Sequence, residues 1–141
     1  MTSDRIAHAR SFIDQIPQAR ALGLEILSIG EGRAEIRMPW SADLVGDPET
    51  GVIHGGAVST LMDTCGGAAT LAHPAAPAAT ATMSLRIDYL RAATPGQAIT
   101  AQAECHHVTR SVAFVRAVAL DEDTRRPVAT ATGTFTMEPS A

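Results

Sequence analysis

The stretch from Gly51 to Leu71 constrains this chain more than any other. It opens on Gly51-Val52-Ile53-His54-Gly55-Gly56 and continues as an apolar segment interrupted by one acid, Asp63. Ala57, Val58, Leu61, Met62 and Cys65 recur at helical spacing, so the segment from Gly55 to about Leu71 reads as a long buried helix. An ionised carboxylate among apolar groups is costly unless it is neutralised or finds partners. A chain that keeps Asp63 in the middle of its most apolar helix is therefore holding it for chemistry.

The two ends of this segment do different work. A helix N-terminus leaves backbone N–H groups unpaired and carries partial positive charge. Glycines there let a ligand carbonyl approach with no Cβ in the way, so Gly55 and Gly56 suit a developing oxyanion, an effect worth about 3 kcal/mol per well-aimed donor. A helix advances about 1.5 Å and 100° per residue, so nine steps from His54 to Asp63 put them roughly 13 Å apart and on opposite sides. If both serve one substrate, a second copy of the chain has to supply one of them.

The flanking segments read as follows. Asp4 to Ile16 is a short amphipathic helix stopped by Pro17. Leu22–Ile29 and Arg33–Met38 are strands joined by the turn Gly30-Glu31-Gly32. Pro39 to Gly51 is a loop, and His73-Pro74-Ala75-Ala76-Pro77 ends the long helix. Thr80–Leu90, Ile99–His107, Val112–Leu120 and Pro127–Met137 are four further strands. In Thr80–Leu90 a polar row of Thr82, Ser84, Arg86 and Asp88 alternates with Met83, Leu85, Ile87 and Tyr89. Helix, two strands, long helix, four strands is the order of an α+β domain with a mostly antiparallel sheet and one helix laid across it. A single domain over residues 1–141 is expected at this length.

With 15 acidic against 11 basic residues, the net charge of −4 lacks the attraction that sequence-independent nucleic-acid binding needs. The run Ala68 to Met83 is broken by His73, Pro74 and Pro77, so no spanning helix and no membrane partner is expected. Two cysteines, and an opening Met1-Thr2-Ser3-Asp4-Arg5 without a basic region followed by an apolar one, point to a cytoplasmic protein. Aromatics are only 4% of residues, so a helix of small side chains must press closely on its sheet. Cys105-His106-His107 offers too few ligands on one strand face for a closed metal site. Cys65 reads as a small core residue.

His54-Gly55-Gly56 followed by Asp63, within this order of strands, resembles the hotdog-fold acyl-CoA thioesterases of the PaaI-like type, over about Leu22 to Met137. The resemblance implies a curved sheet of five to six strands wrapped around the helix, and a homodimer that pairs its sheets, assembled into a homotetramer. It places an acyl-thioester site at the dimer interface and involves no metal or tightly held cofactor. It implies catalytic roles for Asp63, His54 and Gly56, with Thr82 as a hydroxyl that orients the water or the acid. Gly55, Asp47, Arg91, Arg110 and Ser111 become candidates for binding the substrate, the arginines through coenzyme A phosphates. Relatives carry an Asn or Gln shortly before the Gly-x-x-His, and Asp47 is the nearest stand-in here. Asp63 acts either as general base or as nucleophile. The alternatives are a hydratase or dehydratase on the same fold, and an acyl-CoA-binding module without chemistry.

Overall fold

Small apolar residues alternating with polar ones build the middle of the molecule. The computed structural model describes residues 2–139. In chain order these form α1 (Thr2–Asp14), α2 (Pro17–Ala21), β1 (Glu25–Gly30), β2 (Arg33–Met38), a 3₁₀ turn (Ala42–Leu44), β3 (Val45–Asp47) and β4 (Val52–Ile53). Then come α3 (Gly55–Leu71), β5 (Thr82–Tyr89), β6 (Ile99–Val108), β7 (Val112–Leu120) and β8 (Ala129–Thr136). Six strands make one antiparallel sheet in the order β1-β2-β6-β7-β8-β5, and β3 pairs with β4 in a separate ribbon. No helix among the described residues is long and apolar enough to cross a membrane.

α3 touches all six strands of the sheet. Six strands about 4.8 Å apart span roughly 24 Å when flat, more than twice the ~10 Å diameter of a helix. The sheet must therefore curve around α3, which is the hotdog arrangement. Leu61, Met62, Cys65 and Ala68 of α3 join Ile36, Ala101 and Val115 of the strands in one buried cluster. Close approach is visible in Cys65, whose Sγ lies 3.4 Å from the carbonyl oxygens of both Ala34 and Ala101. Burial pushes that thiol up to about 12, so it is packing and not a nucleophile. A Cβ on Gly66 would stand 2.7 Å from the buried Phe135 ring, so this glycine is what lets the helix sit against β8.

The structure departs from the sequence reading in several short elements. Pro17 does more than stop α1: it opens α2 at its first turn, where its missing N–H costs nothing. Gly23, at φ 69°, then closes α2, so β1 begins only at Glu25 rather than Leu22. The loop from Pro39 holds the β3–β4 ribbon, whose strands of three and two residues are too short to show a period. The β1–β2 hairpin turns on Glu31 and Gly32, both left-handed at φ 51° and 73°, with Gly30 already paired to Arg33.

At the far end of the sheet, Arg91 after β5 and Asp121 after β7 form a two-bonded ion pair, each bond 2.7 Å. Asp121 also accepts the N–H groups of Thr94 and Asp123, both at 3.0 Å. The Arg91 guanidinium, with these two donors, holds the Asp121 carboxyl far below the usual carboxylate range. The pair ties the β5–β6 connection to the β7–β8 connection. Removing one member strands the other, so Asp121→Asn should lower stability by about 3 kcal/mol in urea denaturation at pH 7. A depressed folded pKa contributes stability above the ordinary aspartate value of about 3.9 and loses it as pH falls further. The gap between wild type and variant should thus narrow steadily between about pH 5 and pH 2.

Candidate active site

The β3–β4 ribbon delivers His54 to the start of α3. His54 N–H donates to the Leu44 carbonyl at 2.8 Å, and Gly46 crosses so closely that a Cβ there would lie 2.8 Å from His54 Cα. At φ −62° and ψ 135° His54 is the N-cap of α3, and its Nδ1 accepts the Gly56 N–H at 2.8 Å. A ring nitrogen that accepts carries no proton, so the neutral imidazole keeps its hydrogen on Nε2. The Ala57 N–H goes to the His54 carbonyl. Among the described residues the Gly55 N–H meets no acceptor, whereas the Gly56 N–H, expected to face the substrate, is taken by the cap.

Asp63 lies half-buried two turns further along α3. Thr82 Oγ1 donates to Asp63 Oδ1 at 2.5 Å, and Oδ2 has no partner among the described residues. Simple alternation puts Thr82 in one row with Ser84 and Arg86. A β-bulge at Met83, where the pairing steps from Thr82–Phe135 to Ser84–Thr134, moves Thr82 into the row of Leu85 and Ile87 that faces the helix. These three residues and Asp63 line a cavity of about 300 Å³.

His54 and Asp63 are separated along the helix rather than around it. Because His54 is outside the helix, steps of 100° cannot be counted through it. Counted from Gly56, Asp63 is seven residues on, about 700°, which returns to within 20° of the same stripe some 10 Å along the axis. Thr60 lies between them and lines both the cavity of about 320 Å³ at His54 and Gly56 and a second cavity, about 200 Å³, at Asp63. Gln18 of α2 lines the same two cavities, and nothing in the local sequence pattern singled it out. Tyr89, read only as part of an apolar row, donates its hydroxyl to the Gly55 carbonyl at 2.9 Å.

The remaining candidates fall in different places. Both oxygens of Asp47 are used within its own loop, accepting Glu49 N–H at 3.1 Å and Thr50 Oγ1 at 2.8 Å. Each oxygen thus takes part in holding the turn. Arg91 is not a phosphate ligand, because its donors go to Asp121 and to the carbonyls of Ala92 and Arg126. Arg110 is exposed, and the Ser111 carbonyl accepts Met137 N–H, which sets this β6–β7 turn beside the end of β8. Thr136 N–H in turn donates to the Ala81 carbonyl, so the turn and Thr82 share one end of the sheet. Arg116 is on the outer face of a central strand, paired to Glu104 at 2.9 Å. A recess of about 640 Å³ lies around this pair and that of Arg33 with Glu104, and none of the candidate residues lines it.

Comparison with known proteins adds the following. Residues 50–128 match the model of the thioesterase superfamily. A solved Pseudomonas aeruginosa protein is 36% identical, over 94% of this chain and 98% of its own, with a TM-score of 0.83. The Escherichia coli PaaI protein of the phenylacetic acid degradation operon shares the fold at TM-score 0.86 and 23% identity, over 100% and 99% of the two chains. A Halobacterium salinarum protein, provisionally named an esterase, is 33% identical over 93 residues, 64% of this chain. The chain spans 62% of the length of that curated relative.

The capping geometry has a direct test. His54→Ala should lower stability by about 1 kcal/mol and His54→Asn by much less, because Asn also caps a helix. Chemical denaturation of the three proteins measures the difference.

Proposed function

For a chain that belongs to the thioesterase superfamily, we propose hydrolysis of an acyl-CoA thioester to the free acid and coenzyme A, with Asp63 as the acting carboxylate. The acyl group is aryl or medium-chain. The observation that carries this reading is the state of Asp63, with Oδ1 held by Thr82 and Oδ2 free beside a cavity. Asp63 either takes a proton from the water that adds to the carbonyl carbon, or adds itself to give an anhydride that water then opens. In both routes the C–S bond breaks, and the thiolate leaves and is protonated. Negative charge on the carbonyl oxygen is held by the Gly55 N–H and the Nε2–H of His54, at the positive end of α3. Arg110 and Ser111, on the turn beside the end of β8, are the groups assigned here to the coenzyme A phosphates.

The gap of about 10 Å between Gly56 and Asp63 is too long for one carbonyl to touch both. Asp63 of one copy therefore works with the α3 N-terminus of a second copy. β5 suits such a seam: it is an edge strand, and Met83, Tyr89 and Leu90 are 57%, 52% and 56% exposed. Pairing two copies of β5 continues the sheet and covers these side chains. A cytoplasmic homodimer, paired again into a tetramer, completes the reading.

Asp63→Asn should lose at least about a hundredfold in thiol release from a panel of aryl and aliphatic acyl-CoAs while still binding them. Equal turnover by the two proteins would remove the assignment. Mixing inactive His54→Ala and Asp63→Asn proteins should restore about a quarter of wild-type turnover, because half the dimers are mixed and each mixed dimer has one intact site. Failure of exchanged mixtures to recover any activity, with both single variants inactive, would place the two groups in one chain.

A further inference from the structure

Two adjacent glycines in α3 stand in opposite situations. At Gly66 a Cβ would strike Phe135 at 2.7 Å, whereas at Gly67 it would meet nothing nearer than Thr80 Cγ2 at 3.8 Å and Phe135 Cε2 at 4.0 Å. Packing accounts for the first glycine and not for the second. A glycine inside a helix is also less favourable than alanine, so the empty space at Gly67 needs a reason.

Gly67 lines the cavity of about 200 Å³ that begins at Asp63 and Thr82. Phe12 and Ile13 of α1, Ile16 at the junction of α1 with α2, and Phe135 of β8 line it as well. Apart from Thr82, its threonines direct their hydroxyls to backbone, Thr60 to the Gly56 carbonyl at 2.9 Å, Thr64 to the Thr60 carbonyl at 2.8 Å and Thr80 to the Thr136 carbonyl at 2.7 Å. The apolar part of its lining is therefore Phe12, Ile13, Ile16 and Phe135 beside Gly67, with Gln18 also among the lining residues. A cavity of about 150 Å³ holds a benzene ring, so a volume of about 200 Å³ has room for a ring or a short branched chain and for no long one.

We propose that Gly67 is a specificity-determining residue, its missing side chain leaving room for the far end of the acyl group between α1 and α3. The inference rests on the thioesterase reading and adds which wall of the site measures the substrate. The wall is formed within one chain, by a helix far from Asp63 in sequence.

The test is Gly67→Ala, read by melting temperature and by kcat/KM across acetyl-, isobutyryl-, hexanoyl- and benzoyl-CoA. The variant should melt about 4 °C higher and should lose about ten- to a hundredfold on the acyl group that wild type prefers among the bulkier ones. Acetyl-CoA should stay within about twofold, since its methyl group does not reach the deep end. Adding Ile16→Ala should return much of the loss by widening the opposite wall. A higher melting temperature with an unchanged substrate profile overturns the proposal, and so does a lower melting temperature, which would make Gly67 a packing residue like Gly66. A wild type that releases thiol from none of the four removes the thioesterase reading itself and the inference with it.

Discussion

A helix enclosed by a curved sheet has to be narrow, and the rest of this molecule follows from that limit. α3 touches every strand of the six, and it can do so because its sheet-facing side is built from Ala68, Ala69, Cys65 and Gly66 around Leu61 and Met62. Large side chains would hold the strands off and leave voids that cost stability. The low aromatic content is the compositional trace of the same limit. Phe135, one of the few large rings, is accommodated only because residue 66 has no side chain.

The same helix has one stripe that does not face the sheet's core. Gly56, Thr60, Asp63 and Gly67 follow one another at three- and four-residue intervals, with Thr64 next to Asp63, and look toward α1, α2 and the start of β5. Thr60 and Thr64 turn their hydroxyls to the helix's own carbonyls, which leaves Asp63 as the one polar group of the stripe held by another element. A carboxyl group so held by a hydroxyl loses its freedom to wander. The bulge at Met83 is what makes that contact possible, because without it Thr82 would share the outward row of Ser84 and Arg86.

Much of the fold could be read in advance where patterns are long. The limits of β2, α3 and β7 were legible from periodicity, and so was the antiparallel α+β class. Short elements were not: α2 has five residues and the β3–β4 ribbon fewer per strand, below the length at which a period can be counted. At the site, His54, Gly55 and Asp63 stood out by motif, and Thr82 came from likeness to relatives, not from its own strand pattern. Gln18 and Tyr89 reach the site through tertiary packing, which no local pattern reports. Arg91 shows the converse: an arginine beside a strand end carries no mark in sequence that its partner is Asp121, thirty residues away. The angular count from His54 failed because a capping residue lies outside the helix whose geometry was being applied to it.

Thr82 belongs to β5, and β5 is the outermost strand on its side of the sheet. The hydroxyl that steadies Asp63 is thus mounted on a strand with a partner on one side only, and its local bulge is set by hydrogen bonds on that flank alone. If a second copy occupies the other flank, joining and catalytic alignment become one event. Output would then follow the square of protein concentration at high dilution and become linear once the chains are paired, so the protein would be silent when scarce without needing any separate regulator.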